Sequence, residues 1–154
     1  MTGSILSSRR GALRWLGAGS ALVVLGACGS SAEAKGFPIH LSDAEWRGRL
    51  TARQYAILRK KGTERPYSSP LLHEKRRGTF CCAADGHPLF ASSTKYDSRT
   101  GWPSFWKPLP EALGKSVDWE LGYARTEVHC ARCGGHLGHV FDDGPKPTGK
   151  RYCI

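Results

Sequence analysis

Residues 127–145 read EVHCARCGGHLGHVFDDGP, and the reading of this stretch sets the fold class. EVHC closes an alternating run, HLGHVF is a second short run, and a CxxCGG segment lies between them. Alternation with a period of two belongs to strands whose successive side chains point to opposite faces. Two cysteines three residues apart, followed by glycines, let the backbone fold tightly while both sulfurs turn toward one point. Working outward, short apolar or alternating runs recur as GTFCC at 78–82, PLFAS at 88–92 and VDWELGYARTEVHC at 117–130, separated by Gly, Pro, Asp and Ser. These predict several antiparallel strands from residue 78 onward. Before them, LSDAEWRGRLTARQYAILRKKG at 41–62 carries two helix starts. Ser42 is followed three residues later by Glu45, a capping-box pattern, and Thr51 caps a second helix bearing Tyr55, Ile57 and Leu58 that Gly62 ends. The expected class is α+β, mainly β, with the helices first and the strands after them.

The chain has 154 residues, 40% of them hydrophobic, which is room for one compact domain. Nineteen glycines and nine prolines favour short strands and turns over a helical bundle. The formal charge of +10 would suit nucleic acid if it were focused on one face. Instead Arg59, Lys60, Lys61 and Arg65 fall on a helix and its exit, Lys75, Arg76 and Arg77 precede a strand, and the rest is scattered among acids. That distribution leaves a solvated basic surface, or one drawn to anionic lipid headgroups, and argues against a nucleic-acid partner.

Residues 1–34 read as an address separate from the domain at 35–154. Ser8, Arg9, Arg10 and Leu13 resemble a twin-arginine export signal, and the apolar stretch from Leu13 to Ala27 is short for a membrane span. Leu25, Gly26, Ala27 and Cys28 resemble a lipobox, in which the cysteine becomes a lipid anchor; a competing cut follows Ala32, Glu33, Ala34 and would release a soluble protein. Export to the periplasm or cell envelope, as a membrane-anchored lipoprotein, is the expectation. Without Arg9, Arg10, Arg14 and Glu33 the domain carries +8, and it keeps five cysteines.

Two pairs of positions in the domain suit a metal. Cys130 and Cys133 form the CxxC pair, and Cys82 with Asp85 in CCAADGH has the same shape with a carboxylate in the second place. A structural zinc would take Cys82, Asp85, Cys130 and Cys133. Two other readings of the CxxC pair stand beside it: a redox couple, and a disulfide formed after export. Near the other end, RYC at 151–153 puts Arg151 and Cys153 on one face of a strand, where the guanidinium favours thiolate over thiol. His136, His139, Asp142 and Asp143 supply proton donors and a group to orient them. An extended strand sends His136 and His139 to opposite faces, so Gly138 must bend the chain for both to reach one site. Trp102, between Gly101 and Pro103, is a plausible wall for a thioether methyl, whereas Phe105 and Trp106 read as core.

The ordered set GTFxCAADGHPLF, KYDSRTGWPSF, EVHCARCGGHLGHVFDDGP and TGKRYCI, over residues 40–154, resembles the methionine-R-sulfoxide reductase family. The resemblance implies two antiparallel sheets with N-terminal helices, a β-tent arrangement, with zinc between the knuckles, no organic cofactor and a monomer. It implies reduction of methionine R-sulfoxide, free or in oxidised proteins, to methionine. Cys153 would be the nucleophile and pass through a sulfenic acid, Arg151 would hold it as thiolate, His136 and His139 would protonate the sulfoxide oxygen, Asp143 would orient that network, and Trp102 would pack on the methyl group. Many members carry a resolving cysteine where this chain has Thr100, so regeneration falls to Cys81 or to an external thioredoxin-like dithiol. The family pattern also continues past RYCI with an asparagine and a closing strand, so the C-terminal strand is expected to be truncated. An inactive truncated reductase, or a zinc-ribbon-like binding module, is the alternative.

Overall fold

The computed structural model describes residues 36–154; the proposed signal at 1–34, with Cys28, lies outside the described residues. Helix α1, Asp43–Arg49, and helix α2, Ala52–Lys60, begin at the predicted caps. The Glu45 N–H donates to Ser42 Oγ at 3.3 Å and the Ser42 N–H donates back to Glu45 at 2.8 Å. Thr51 and Gln54 repeat that reciprocal pair, so each helix has two otherwise orphaned N–H groups satisfied at its start. At the other end, Lys61 takes the left-handed conformation usually left to glycine, with φ 56°, and the Gly62 N–H closes on the Ala56 carbonyl at 2.9 Å. Gly62 therefore sits one residue beyond the turn that it was expected to make.

Eight strands follow: β1 Thr79–Cys81, β2 Pro88–Ala91, β3 Lys95–Tyr96, β4 Ser104–Phe105, β5 Leu113–Asp118, β6 Arg125–Cys130, β7 His136–Phe141 and β8 Arg151–Cys153. β1 and β2 form a two-stranded sheet; the others form a six-stranded sheet in the order β3-β4-β8-β7-β6-β5, and every pairing is antiparallel. The run VDWELGYARTEVHC is thus no single strand. It is the end of β5, a turn closed by Gly122 N–H to the Trp119 carbonyl at 2.9 Å, and β6. The local alternation persists through the turn, which is why the sequence pattern does not reveal the break.

The core lies where the helices and the small sheet meet the large one. Phe90 of β2 stacks on Phe105 of β4 at 4.3 Å, Phe80 of β1 meets Phe105 edge-on at 5.0 Å, and Trp46, Val128, Cys130 and Cys133 are buried with them. Each large side chain so buried contributes about 2 kcal/mol through area removed from water. Tyr152 points into this core while Arg151 and Cys153 point the other way, as a three-residue strand requires. β8 is not an edge: Cys153 is paired with Ser104 on one side and His139 on the other. The thiol near the end of the sequence is therefore carried by a strand held on both flanks.

Candidate active site

The registers of the large sheet place one residue from each strand in a single transverse row: Tyr96, Ser104, Cys153, His139, Glu127 and Ser116. Directly opposed residues share a face in an antiparallel sheet, so Cys153, His139 and Glu127 stand side by side. His136 joins them through an irregularity. Val128 pairs with Gly138 but His129 pairs with His136, leaving Leu137 as the extra residue of a bulge. The two imidazoles end 5.6 Å apart, edge to face. Gly138 makes the bend with φ +146°, and a Cβ there would collide with the Cys153 carbonyl oxygen. The bend that the sequence required is present, and only glycine fits it.

Each histidine is held by its own carboxylate, and neither is Asp143. His136 Nδ1 lies 2.6 Å from Glu127 Oε1, and Glu127 also accepts from Lys61 Nζ at 2.6 Å and Ser116 Oγ at 3.0 Å. Burial pushes the Glu127 carboxyl up, but the hydrogen bonds from Lys61, His136 and Ser116 outweigh it and hold the group at about 2. His139 Nε2 lies 2.7 Å from Asp118 Oδ2, which Arg125 also reaches at 2.6 Å. The Glu120 N–H and His139 hold Asp118 at about 2 as well. Sequence reasoning missed Glu127, Asp118 and Lys61. A signal was there for Glu127, an acid flanked by residues of a strand that enters the core.

Asp143 was expected to orient the histidines and does not. The chain leaves the sheet after Phe141, and the DDGP turn carries Asp143 back opposite β8, where it takes Arg151 in a two-pronged pair at 2.9 Å and 2.9 Å. Asp142 points to solvent and pairs with Lys150. The Arg151 guanidinium also lies over the Phe141 ring at 4.3 Å. The hydrogen bonds to Asp143 raise its pKa above the ordinary arginine value. Tyr96, Ser98, Thr100, Asp143 and Arg151 line a cleft of about 400 Å³ beside this row.

Thr100 Oγ1 stands 3.8 Å from Cys153 Sγ, so the position that would hold a resolving cysteine is beside the thiol. Cys81 is exposed, lies in the other sheet, and points its Sγ at the Thr79 carbonyl, 3.8 Å away. Trp102 is half-buried and anchored by its indole N–H to the Glu64 carbonyl at 2.9 Å; Phe105 is core, and Trp106 is only half-buried.

The four metal positions converge elsewhere. One ligand atom from each of Cys82, Asp85, Cys130 and Cys133 lies within 4.8 Å of every other. The two knuckles close identically: Cys82 N–H to His87 carbonyl and Gly86 N–H to Cys82 carbonyl, then Cys130 N–H to Gly135 carbonyl and Gly134 N–H to Cys130 carbonyl. Asp85 therefore occupies the place that Cys133 fills in the other turn. Cys82 and Cys133 sulfurs are 3.7 Å apart and Asp85 oxygens are 3.8 Å from Cys130 sulfur, spacings that suit a tetrahedral ion with about 2.3 Å metal–sulfur bonds. Hydrogen bonds from Cys133 and Cys82 pull the Cys130 thiol far down, while its contact with Cys130 pushes Cys133 up to about 11; three sulfurs this close do not all ionise unless a cation shares the charge. The donor set fits a metal ion.

Residues 50–154 match the SelR domain. The chain belongs to the methionine-R-sulfoxide reductase family. It is 53% identical over 117 residues to the peptide methionine sulfoxide reductase MsrB of Agrobacterium fabrum, covering 75% of this chain and 87% of that one. To the MsrB of Leptospira interrogans it is 50% identical over 119 residues, 77% and 91% of the two chains, and to that of Methanosarcina barkeri 51% over 117 residues, 75% and 82%. In this methionine-R-sulfoxide reductase domain, the thiol and both histidines lie on adjacent strands of one sheet, and the CxxC knuckle is the turn that joins β6 to β7.

Proposed function

We propose that the protein reduces methionine R-sulfoxide, free or within oxidised proteins, to methionine, with Cys153 as nucleophile. The observation that carries the reading is the row: a thiol on an inner strand with two carboxylate-held imidazoles beside it on the same face. The Cys153 thiolate, favoured by Arg151, attacks the sulfoxide sulfur. His136 and His139 deliver protons to the oxygen, which is a poor leaving group until protonated. The hydroxyl then passes from the methionine sulfur to Cys153 Sγ as the transient Sγ–S bond and the methionine S–O bond break, methionine departs as the thioether with the electron pair, and Cys153 is left as a sulfenic acid. Trp102 packs on the substrate methyl. Asp143 acts through Arg151, and Glu127 and Asp118 keep the imidazoles oriented.

With Thr100 beside the sulfur, no disulfide forms at that position. An external thioredoxin-like dithiol serves instead: its first thiol displaces water from the sulfenic acid, and its second resolves the mixed disulfide. Zinc on Cys82, Asp85, Cys130 and Cys133 ties the two knuckles together and supplies structure, not chemistry. The protein acts as a monomer after export to the cell envelope, anchored through Cys28, and takes no nucleic acid.

Dithiothreitol-driven turnover of the separated R and S sulfoxides of N-acetylmethionine tests the reaction. Loss of R alone, abolished by Cys153→Ser, is the expected result. Equal rates for wild type and C153S sink the assignment of the nucleophile, and consumption of S sinks the stereochemistry.

A further inference from the structure

Among the described residues, the exposed large hydrophobics are Phe37, Tyr67, Leu71, Val117, Trp119, Leu121 and Tyr123; the last three crowd into the single turn between β5 and β6, and Val117 lies in β5 just before it. Trp119 is 66% exposed and Tyr123 58%. A single exposed apolar residue is ordinary; three in one hairpin tip, with a fourth on the adjoining strand, are a surface. The tip is also well tied. Gly122 closes it with φ +79°, the Asp118 carboxylate accepts from the Glu120 N–H at 2.8 Å, and Arg125 clamps Asp118 from the opposite strand. Its aromatics are therefore held outward by a fixed turn.

The tip is continuous with the catalytic row. Asp118, which shapes the turn with one oxygen, holds His139 with the other. β5 ends at Asp118, two residues beyond Ser116 of the row and on the same face, Trp119 opens the turn one residue further on, and β5 is three strands from β8. At about 3.3 Å per residue and 4.8 Å per strand, that places Trp119 about 17 Å from Cys153, the reach of about five residues of extended peptide.

We propose that the β5–β6 hairpin tip, through Trp119, Leu121 and Tyr123, binds apolar side chains about five residues from the methionine sulfoxide in a polypeptide substrate. This rests on the reductase reading of the adjoining site. The occupant is polypeptide because methionines sit mostly in apolar segments, and their oxidation disrupts those segments and exposes them. Lipid is the poorer fit: Glu120 stands at the tip itself, and anionic headgroups repel it.

The test compares wild type with the double variant Trp119→Ser, Tyr123→Ser. Three substrates are used: N-acetylmethionine R-sulfoxide, and two peptides of about a dozen residues in which a central R-sulfoxide is flanked five residues away by Leu and Phe or by Ser. The variant should match wild type on the small substrate and on the Ser peptide. On the apolar peptide its kcat/KM should fall about tenfold, through KM, since removing two aromatic anchors costs roughly that factor. Equal losses on all three substrates, or none on the apolar peptide, overturn the proposal. So does wild-type binding to phosphatidylglycerol vesicles that the variant loses while its peptide kinetics stay unchanged. Affinity of the labelled apolar peptide is measured alongside by fluorescence anisotropy. If neither protein reduces any sulfoxide but the variant still binds the apolar peptide about tenfold more weakly, the reductase reading fails and the tip stands.

Discussion

Glu127 shows how much of this site depends on one buried charge. Its side chain is 4% exposed, and its carboxylate is met by Lys61, Ser116 and His136. A carboxyl whose folded pKa lies below its ordinary value stabilises the fold once it is ionised. Here the ordinary value is 4.5 and the folded one about 2, so the contribution is complete above pH 4.5 and is lost as pH falls toward 2. It amounts to on the order of 3 kcal/mol. Glu127→Gln should flatten the acid limb of stability in urea titrations between these pH values and lower kcat about tenfold by freeing His136. An unchanged acid limb would mean that the three partners do not stabilise the ionised form. Tyr96 makes the opposite prediction, because its hydroxyl is buried without a partner and burial raises its pKa. Tyr96→Phe should leave the urea midpoint equal or higher, since an unpaired buried polar atom costs stability; a clear loss would reveal a hidden partner. Thr100→Cys would put a second sulfur where an oxygen now stands 3.8 Å from Cys153. One turnover without reductant should then leave both the introduced thiol and Cys153 unavailable to alkylation; two free thiols would show that the loop holds them apart.

At the scale of elements, the bulge in β7 decides whether the histidines act together. Gly138→Ala drives a Cβ into the Cys153 carbonyl at a φ that side chains resist. It should destabilise the protein by about 3 kcal/mol or more and reduce activity even at temperatures where the variant is folded, because either β7 or β8 must move. Activity and melting temperature measured together check this, and a stable, active variant would contradict the close approach. The strands themselves were partly legible. HLGHVF, RYC and EVHC announced themselves by alternation, whereas Leu113–Asp118 did not, because its Gly114, Lys115 and Ser116 carry little apolar pattern at an exposed edge. Without the body of β5 and the turn after it, Asp118 stood in one run with Glu127 rather than opposite Arg125, and its place as the partner of His139 was missed.

Across the whole molecule, the row through Cys153 lies on the six-stranded sheet, and the paired knuckles join the β1–β2 turn of the small sheet to the β6–β7 turn of the large one. Purified protein should carry about one zinc, and a chelator should lower the melting temperature by about 10 °C or more, with Asp85→Ala reproducing part of the loss. Metal content by mass spectrometry and thermal unfolding check this; a metal-free protein unaffected by chelator would leave the sulfurs as a thiol cluster. Several of the basic side chains have structural partners: Arg59 donates to the Cys133 carbonyl, Lys60 pairs with Asp43, and Arg76 pairs with Glu74. Lys61 alone of that basic run reaches the site, through its left-handed turn at the end of α2.

The sequence by itself determined the helix starts, the two knuckles, the face shared by Arg151 and Cys153, and the need for a bend at Gly138, because each depends on residues within a few positions of one another. Which carboxylate serves which group was decided only by the tertiary structure. Glu127 and Asp118 reach the histidines across strand pairings, and Asp143 is carried by its turn to Arg151; such partnerships follow from sheet order and register, which are set by packing over the whole chain.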